Sequence, residues 1–231
     1  NASTIPNISN PPSPSGNRDV SLNAGQDPGD FNTLRNLTLN SNYGNLVVPA
    51  GTYGTFQINQ GSSLTLGIAG QNTTYNLQSL TINGNGQIQI LGIVTLNILN
   101  TVNINGPAIV GDVNNPIGLS INIAQGGVNL NSNGSFIYGT VQAPSGTVNL
   151  NQGTTLRGLV ISDRLQVNGG KLQGFSLDTT GPFINISSPV NNSTTNQASV
   201  NVVGTYSDAS AVVITVNGIT ASISGDTFTA N

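Results

Sequence analysis

The chain has 231 residues, 36% of them apolar and only 6% charged, with a net charge of −3. That length holds one large or two small domains and that apolar content is enough to build a core, so disorder throughout is not expected. Five scattered Lys and Arg residues make no basic stripe for nucleic acid, the absence of Cys excludes disulfides and thiolate metal sites, and 35 Asn and 29 Gly without a single Glu point to an all-β chain.

The numbering opens on Asn rather than Met, so a secreted, extracellular protein whose leader has been removed is expected. Residues 1–30, with "NPPSPSG" and "QDPGD", are punctuated too densely by Pro, Gly and Ser for regular structure and are expected to form an extended arm or linker. Within it, Val20 to Leu22 alternates well enough to become a strand if a sheet edge is offered.

Residues 31–177 repeat one phrase: apolar, any residue, apolar, Asn, then Gly within a few positions. It reads "LTLNSNYG" at 37–44, "FQINQG" at 56–61, "LTING" at 80–84, "VNING" at 102–106, "VNLNSNG" at 128–134, "VNLNQG" at 148–153 and "LQVNG" at 165–169. The key asparagines are Asn40, Asn59, Asn83, Asn105, Asn131, Asn151 and Asn168, spaced by about 21 residues, a solenoid period. A short apolar run ending in Gly follows each phrase but the first, as in "LTLG" at 64–67. Further strand-like stretches lie between, such as "YNLQ" at 75–78, "VTLNI" at 94–98 and "LSINI" at 119–123.

This anatomy predicts a right-handed parallel β-helix of about seven coils. A meander of hairpins also ends apolar alternation in Asn-Gly, but the runs after Gly are too short to pair back along a full strand. With a period of two, Val148 and Leu150 point into the core while Asn149 faces out. The asparagine that follows is expected at a bend, in left-handed backbone, with its amide stacked on its counterparts in neighbouring coils. A stack of coils has two open ends, which must be capped or joined to another molecule.

Residues 178–231 alternate short strands with turn signals and predict a β-sandwich. Here "PFINISSPVNN", "VNVVGTYSDAS", "ITVNG" and "GDTFTAN" resemble bacterial Ig-like modules, which normally continue through further closing strands, so the sandwich is expected to be incomplete. "VPAGTYGTFQINQGSSLTLG" at 48–67 and "SFIYGTVQAPSGTVNLNQGTTLRGLVIS" at 135–162 resemble the β-helical domains of bacterial cell-surface proteins of the collagen-binding-like or anchor-bearing type. That resemblance implies a surface role and no particular chemistry.

Polysaccharide-active β-helix enzymes set an alternative. They need paired or clustered acids, and the repeat region offers Asp112 and Asp163, with Arg157, Arg164 and Lys171 near its end and no His, Cys or Glu. Asp163 beside Arg164 reads as a surface ion pair. "DVNN" at 112–115 and "QDPGD" at 26–30 lack the ligand spacing of a calcium loop and read as solvated turns. Eight N-x-S/T sequences occur, no more than the Asn, Ser and Thr content produces by chance.

No catalytic, cofactor or metal residues are therefore assigned. The residues between the two apolar positions of each phrase, Thr38, Gln57, Thr81, Asn103, Asn129, Asn149 and Gln166, are expected to form one flat outward column of uncharged hydrogen-bonding groups. The leading expectation is a non-enzymatic structural or adhesive module of a cell-surface appendage, sheath or fibre, self-assembling by strand addition, with the arm donating to the open sandwich edge. Its partners would be other copies or another surface protein. Glycan or matrix binding on the polar column is the alternative. No apolar stretch of about 18 residues exists, so membrane insertion is not expected.

Overall fold

Alternation of apolar and polar residues closes into a parallel β-solenoid of about eight turns. The computed structural model describes residues 7–175, 181–208 and 212–231, which fall into two compact units divided between Phe175 and Ser176.

Each coil of the first unit crosses three faces. The first face holds Arg18–Leu22, Leu34–Leu39, Thr55–Ile58, Ser79–Ile82, Val102–Ile104 and Val128–Leu130, then residues 148–150 and 165–167 of the long strands Phe136–Asn151 and Thr155–Asn168. The second follows the Asn-Gly bend and runs from Gly44–Val48 to Lys171–Gln173. The third carries residues 72–77, 93–98, 119–123, 140–142 and 159–162. All neighbours on these faces pair in parallel, one coil above the next, so the strand backbone in the middle of the stack bonds to the coils above and below, while the bends also close on themselves, as where the Ser62 N–H donates to the Asn59 carbonyl at 3.1 Å.

One coil illustrates the core. Phe56 and Ile58 enter from the first face, Leu64 and Leu66 from the second, and Tyr75 and Leu77 from the third, all buried. Each such side chain contributes about 1.5–3 kcal/mol by leaving water, and coil stacking makes the cluster continuous from Leu22 to Leu156. At the corner between the second and third faces, a Cβ on Gly158 would stand 1.7 Å from the Gly139 carbonyl oxygen, so the coils can close there only with glycine.

Two expectations change. The solenoid has about eight turns rather than seven, because the segment read as a free arm supplies the additional strand: Arg18–Leu22 pairs in parallel with Leu34–Leu39. The physical reason is the edge that the first repeat would otherwise leave bare; Leu22 is buried in the core, and the Asn17 N–H donates to the Thr33 carbonyl at 3.1 Å. Donating this strand to another subunit would require breaking that pairing. The bend asparagines also lack left-handed backbone. Positive φ falls instead on the glycines after them, including Gly61 (70°), Gly84 (58°) and Gly153 (74°), which adopt it without a Cβ clash.

Leu165 and Val167 pair in register with the buried Val148 and Leu150, yet are 40% and 48% exposed, and among the described residues no further strand pairs with them on the first face.

The second unit is antiparallel. Phe183–Ser188, Val202–Ser207, Thr227–Ala230 and Ser222–Ser224 form a four-stranded sheet in that order, and Thr215–Val216 pairs with Ile219–Thr220 across Asn217 and Gly218, both at positive φ. Its core is small: Ile214, Ala221, Phe228 and Ala230.

Candidate functional site

The outward column on the first face is a consequence of register. Thr38 pairs with Gln57, Gln57 with Thr81, Thr81 with Asn103, Asn103 with Asn129, Asn129 with Asn149, and Asn149 with Gln166. The structure therefore brings all seven candidates into one row, and Ser21 extends it by one coil. Except for Ser21 and Gln166 at the two ends, which are exposed, they are half-buried, since each is flanked by its neighbours above and below.

Their bonding limits what they can do. The Asn129 amide donates to Asn103 Oδ1 at 2.9 Å and Asn149 donates to Asn129 Oδ1 at 2.7 Å, while Gln57 Nε2 donates to Asn59 Oδ1 at 3.1 Å. A primary amide has two N–H groups and two lone pairs, so part of each remains for a partner. A flat surface of this kind can bind another flat, uncharged, hydroxyl-rich surface, and it offers no group to transfer a proton.

The bend asparagines form a second, directional ladder. Asn83 donates to Asn59 at 3.0 Å, Asn105 to Asn83 at 3.2 Å, Asn131 to Asn105 at 3.0 Å, Asn151 to Asn131 at 3.0 Å, and Asn168 to Asn151 at 3.2 Å. Asn40 stands apart, its amide donating to Asn23 Oδ1 at 3.0 Å and to Ser21 Oγ at 3.1 Å.

A third ladder lies on the third face, where sequence reasoning assigned nothing. Asn76, Asn97 and Asn122 pair in register, with Asn97 donating to Asn76 Oδ1 at 3.1 Å and Asn122 to Asn97 Oδ1 at 3.0 Å. The signal was the Asn shared by "YNLQ", "VTLNI" and "LSINI". Because it stands in mid-strand and no Gly follows, it escapes the repeated phrase.

A cleft of about 370 Å³ opens on the second face, lined by Gln89, Ile90, Ile109, Gly111, Asp112, Val113 and Tyr138. Gly111 leaves the coil at φ 94° and offers no side chain to fill the space. The Tyr138 ring lies parallel to that of Phe136, with centroids 5.9 Å apart. An aromatic face beside a carboxylate and an amide is suited to an apolar ring edged with hydroxyls.

Three of the acids are engaged in turns. Asp112 Oδ1 accepts from the Asn114 N–H at 2.9 Å, Asp27 Oδ1 from the Gly29 N–H at 2.6 Å, and Asp30 Oδ1 from the Asn32 N–H at 2.9 Å. Asp19 forms an ion pair with Arg35, whose Nε donates to Oδ1 at 2.8 Å. The hydrogen bond from Arg35 holds the Asp19 carboxyl below its ordinary range. The expected pairing of Asp163 with Arg164 does not form, as adjacent residues in extended backbone point away from each other. Ionisation is also shifted in the core: burial, with Tyr75 nearby, pushes the Tyr53 hydroxyl up to about 12, and burial raises Tyr75.

Among known families, residues 182–230 match the one described as glucodextranase, domain B, a match confined to the second unit and to less than a quarter of the chain. No curated protein and no solved structure matches the chain.

Proposed function

We propose that the chain is a non-enzymatic extracellular structural or adhesive module, a stiff element of a cell-surface appendage, sheath or fibre. The observation that supports this best is the bend ladder, unbroken from Asn59 to Asn168: side-chain amides tie successive coils along the axis in addition to the backbone pairing. Side chains that bond to their own copies one coil away stabilise a rod. A catalytic site instead sets a few groups against one another in charge and pKa. The likeness of residues 48–67 and 135–162 to bacterial surface domains supports an extracellular position, and a 6% charge content lowers the repulsion that keeps molecules apart.

Immunogold labelling of intact cells that make the protein tests this reading. Surface label that is lost after mild protease shaving is expected; label that appears only after lysis would overturn it. Incubating the full chain with polysaccharides tests the enzymatic alternative, and turnover lost in Asp112→Asn would establish it.

Glycan binding is a second reading, favoured by the cleft beside Tyr138. It predicts saturable binding of the full chain to an immobilised glycan array, weakened by Tyr138→Ala. Binding unaffected by Tyr138→Ala and weakened by Asn129→Asp with Asn149→Asp would move the site to the polar column.

A further inference from the structure

The third-face ladder is covered by the chain's own N-terminal segment. Residues 7–12 cross Asn76, Asn97 and Asn122 and line with them an open cleft of about 310 Å³. Gln78 Nε2 donates to the Pro12 carbonyl at 3.2 Å, and Gln125 Nε2 donates to Asn10 Oδ1 at 3.1 Å. Gln78 and Gln125 flank coils two apart, so the segment runs along the stack rather than beside one strand. Pro11 and Pro12 have no N–H and cannot extend a sheet, which leaves recognition to carbonyl and side-chain acceptors. The groove supplies matching donors in Gln78 and Gln125, and its asparagines bond to one another rather than to the segment.

We propose that this groove is a docking site for an extended, proline-containing strap and that it accepts residues 7–12 of a second copy as well as its own, so that straps exchange between chains. The strap is lightly held: of residues 7–17 only Pro11 is buried, and its side-chain hydrogen bonds to the solenoid are those from Gln78 and Gln125. Residues 13–17 join it to the first strand, a tether of about 17 Å when extended. Residues 7–17 contain no charged residue, so a second copy meets no repulsion from the strap. A strap in trans makes the same contacts as in cis, leaving concentration and tether geometry to set the balance. Reciprocal exchange closes a dimer, and sequential exchange gives an open chain of subunits. This goes beyond the structural role proposed above and does not depend on where the protein resides.

Isotope-mixed cross-linking tests the exchange. Unlabelled full chains carrying a photo-reactive phenylalanine in place of Ser9 are mixed with nitrogen-15-labelled wild-type chains. One sample is incubated under native conditions, and a parallel one is refolded together from urea so that slow exchange is not mistaken for none. Mixed-isotope cross-links joining residue 9 to peptides that contain Asn97 or Asn122 are expected. Their yield should rise about tenfold for each tenfold increase in total chain while monomer predominates, and fall several-fold when the labelled chains alone carry Gln78→Ala and Gln125→Ala, since the unlabelled strap then holds its own groove better than the partner's. Cross-links confined to the unlabelled chain at every concentration would overturn the proposal, as would mixed cross-links that land elsewhere or ignore the two glutamines. Surface labelling of cells can succeed or fail independently of this result.

Discussion

Replacing Asn131 with alanine removes two bonds of the bend ladder, the one it donates to Asn105 and the one it accepts from Asn151. Replacing Asn105 also removes two, to Asn83 and from Asn131. A net hydrogen bond contributes about 0.5–1.5 kcal/mol, and the lower half of that range applies because both side chains are exposed, so each single variant loses about 1–2 kcal/mol. The bond between the two residues is common to both. The double variant therefore loses three bonds rather than four, and its destabilisation falls short of the sum by about 0.5–1 kcal/mol. Asn168→Ala, at the end of the ladder, removes a single bond and should cost about half as much as Asn131→Ala. Equilibrium urea unfolding followed by far-UV circular dichroism, with slopes compared to confirm a common transition, measures all four. Strict additivity of the double variant, or an Asn168→Ala loss equal to that of Asn131→Ala, would refute the view that these amides act as pairwise ties between coils.

Tyr75→Phe should lose about 2–4 kcal/mol in the same unfolding assay, because the buried hydroxyl donates to the Val48 carbonyl and accepts from the Gly67 N–H, both at 2.8 Å, and both partners would be stranded. A loss under about 1 kcal/mol would place water at those groups. Tyr53 makes stability alkali-sensitive: its folded value near 12 lies above the ordinary value of about 10, so the fold binds the extra proton. Its stabilising contribution is complete below about pH 10 and declines as pH rises toward 12; a urea midpoint that stays flat across that window would refute the assignment. Gly127→Ala places a Cβ 1.8 Å from the Thr147 carbonyl oxygen, so the coil must shift, with a loss of at least about 2 kcal/mol readable as a lowered melting temperature.

The solenoid and its bend ladder were legible because both rest on short-range patterns. Val148, Asn149 and Leu150 declare their directions by alternation alone, and a recurring Asn about 21 residues apart lands on its own copies once coils stack. The backbone state of those asparagines was misread, since Asn-Gly leaves open which residue takes positive φ, and the glycine takes it at lower steric cost. The Asn76, Asn97 and Asn122 ladder was hidden by its mid-strand setting. The cleft beside Tyr138 depends on where an insertion leaves the coil at Gly111, which no phrase marks.

By itself the sequence determined the inside and outside of each coil, the period of the stack and the identity of the residues at its bends, because these follow from side-chain alternation and local steric preference. Only the tertiary structure decided the place of residues 7–30. Prolines at 11, 12 and 14 correctly deny strand structure there, but the segment's position is set by Gln78 and Gln125, 66 and 115 residues from the atoms they bond, and that of Arg18–Leu22 by the bare edge of Leu34–Leu39. Contacts at such separations exist only after the coils have stacked, when an exposed edge and a row of amides present themselves to whatever chain lies within reach.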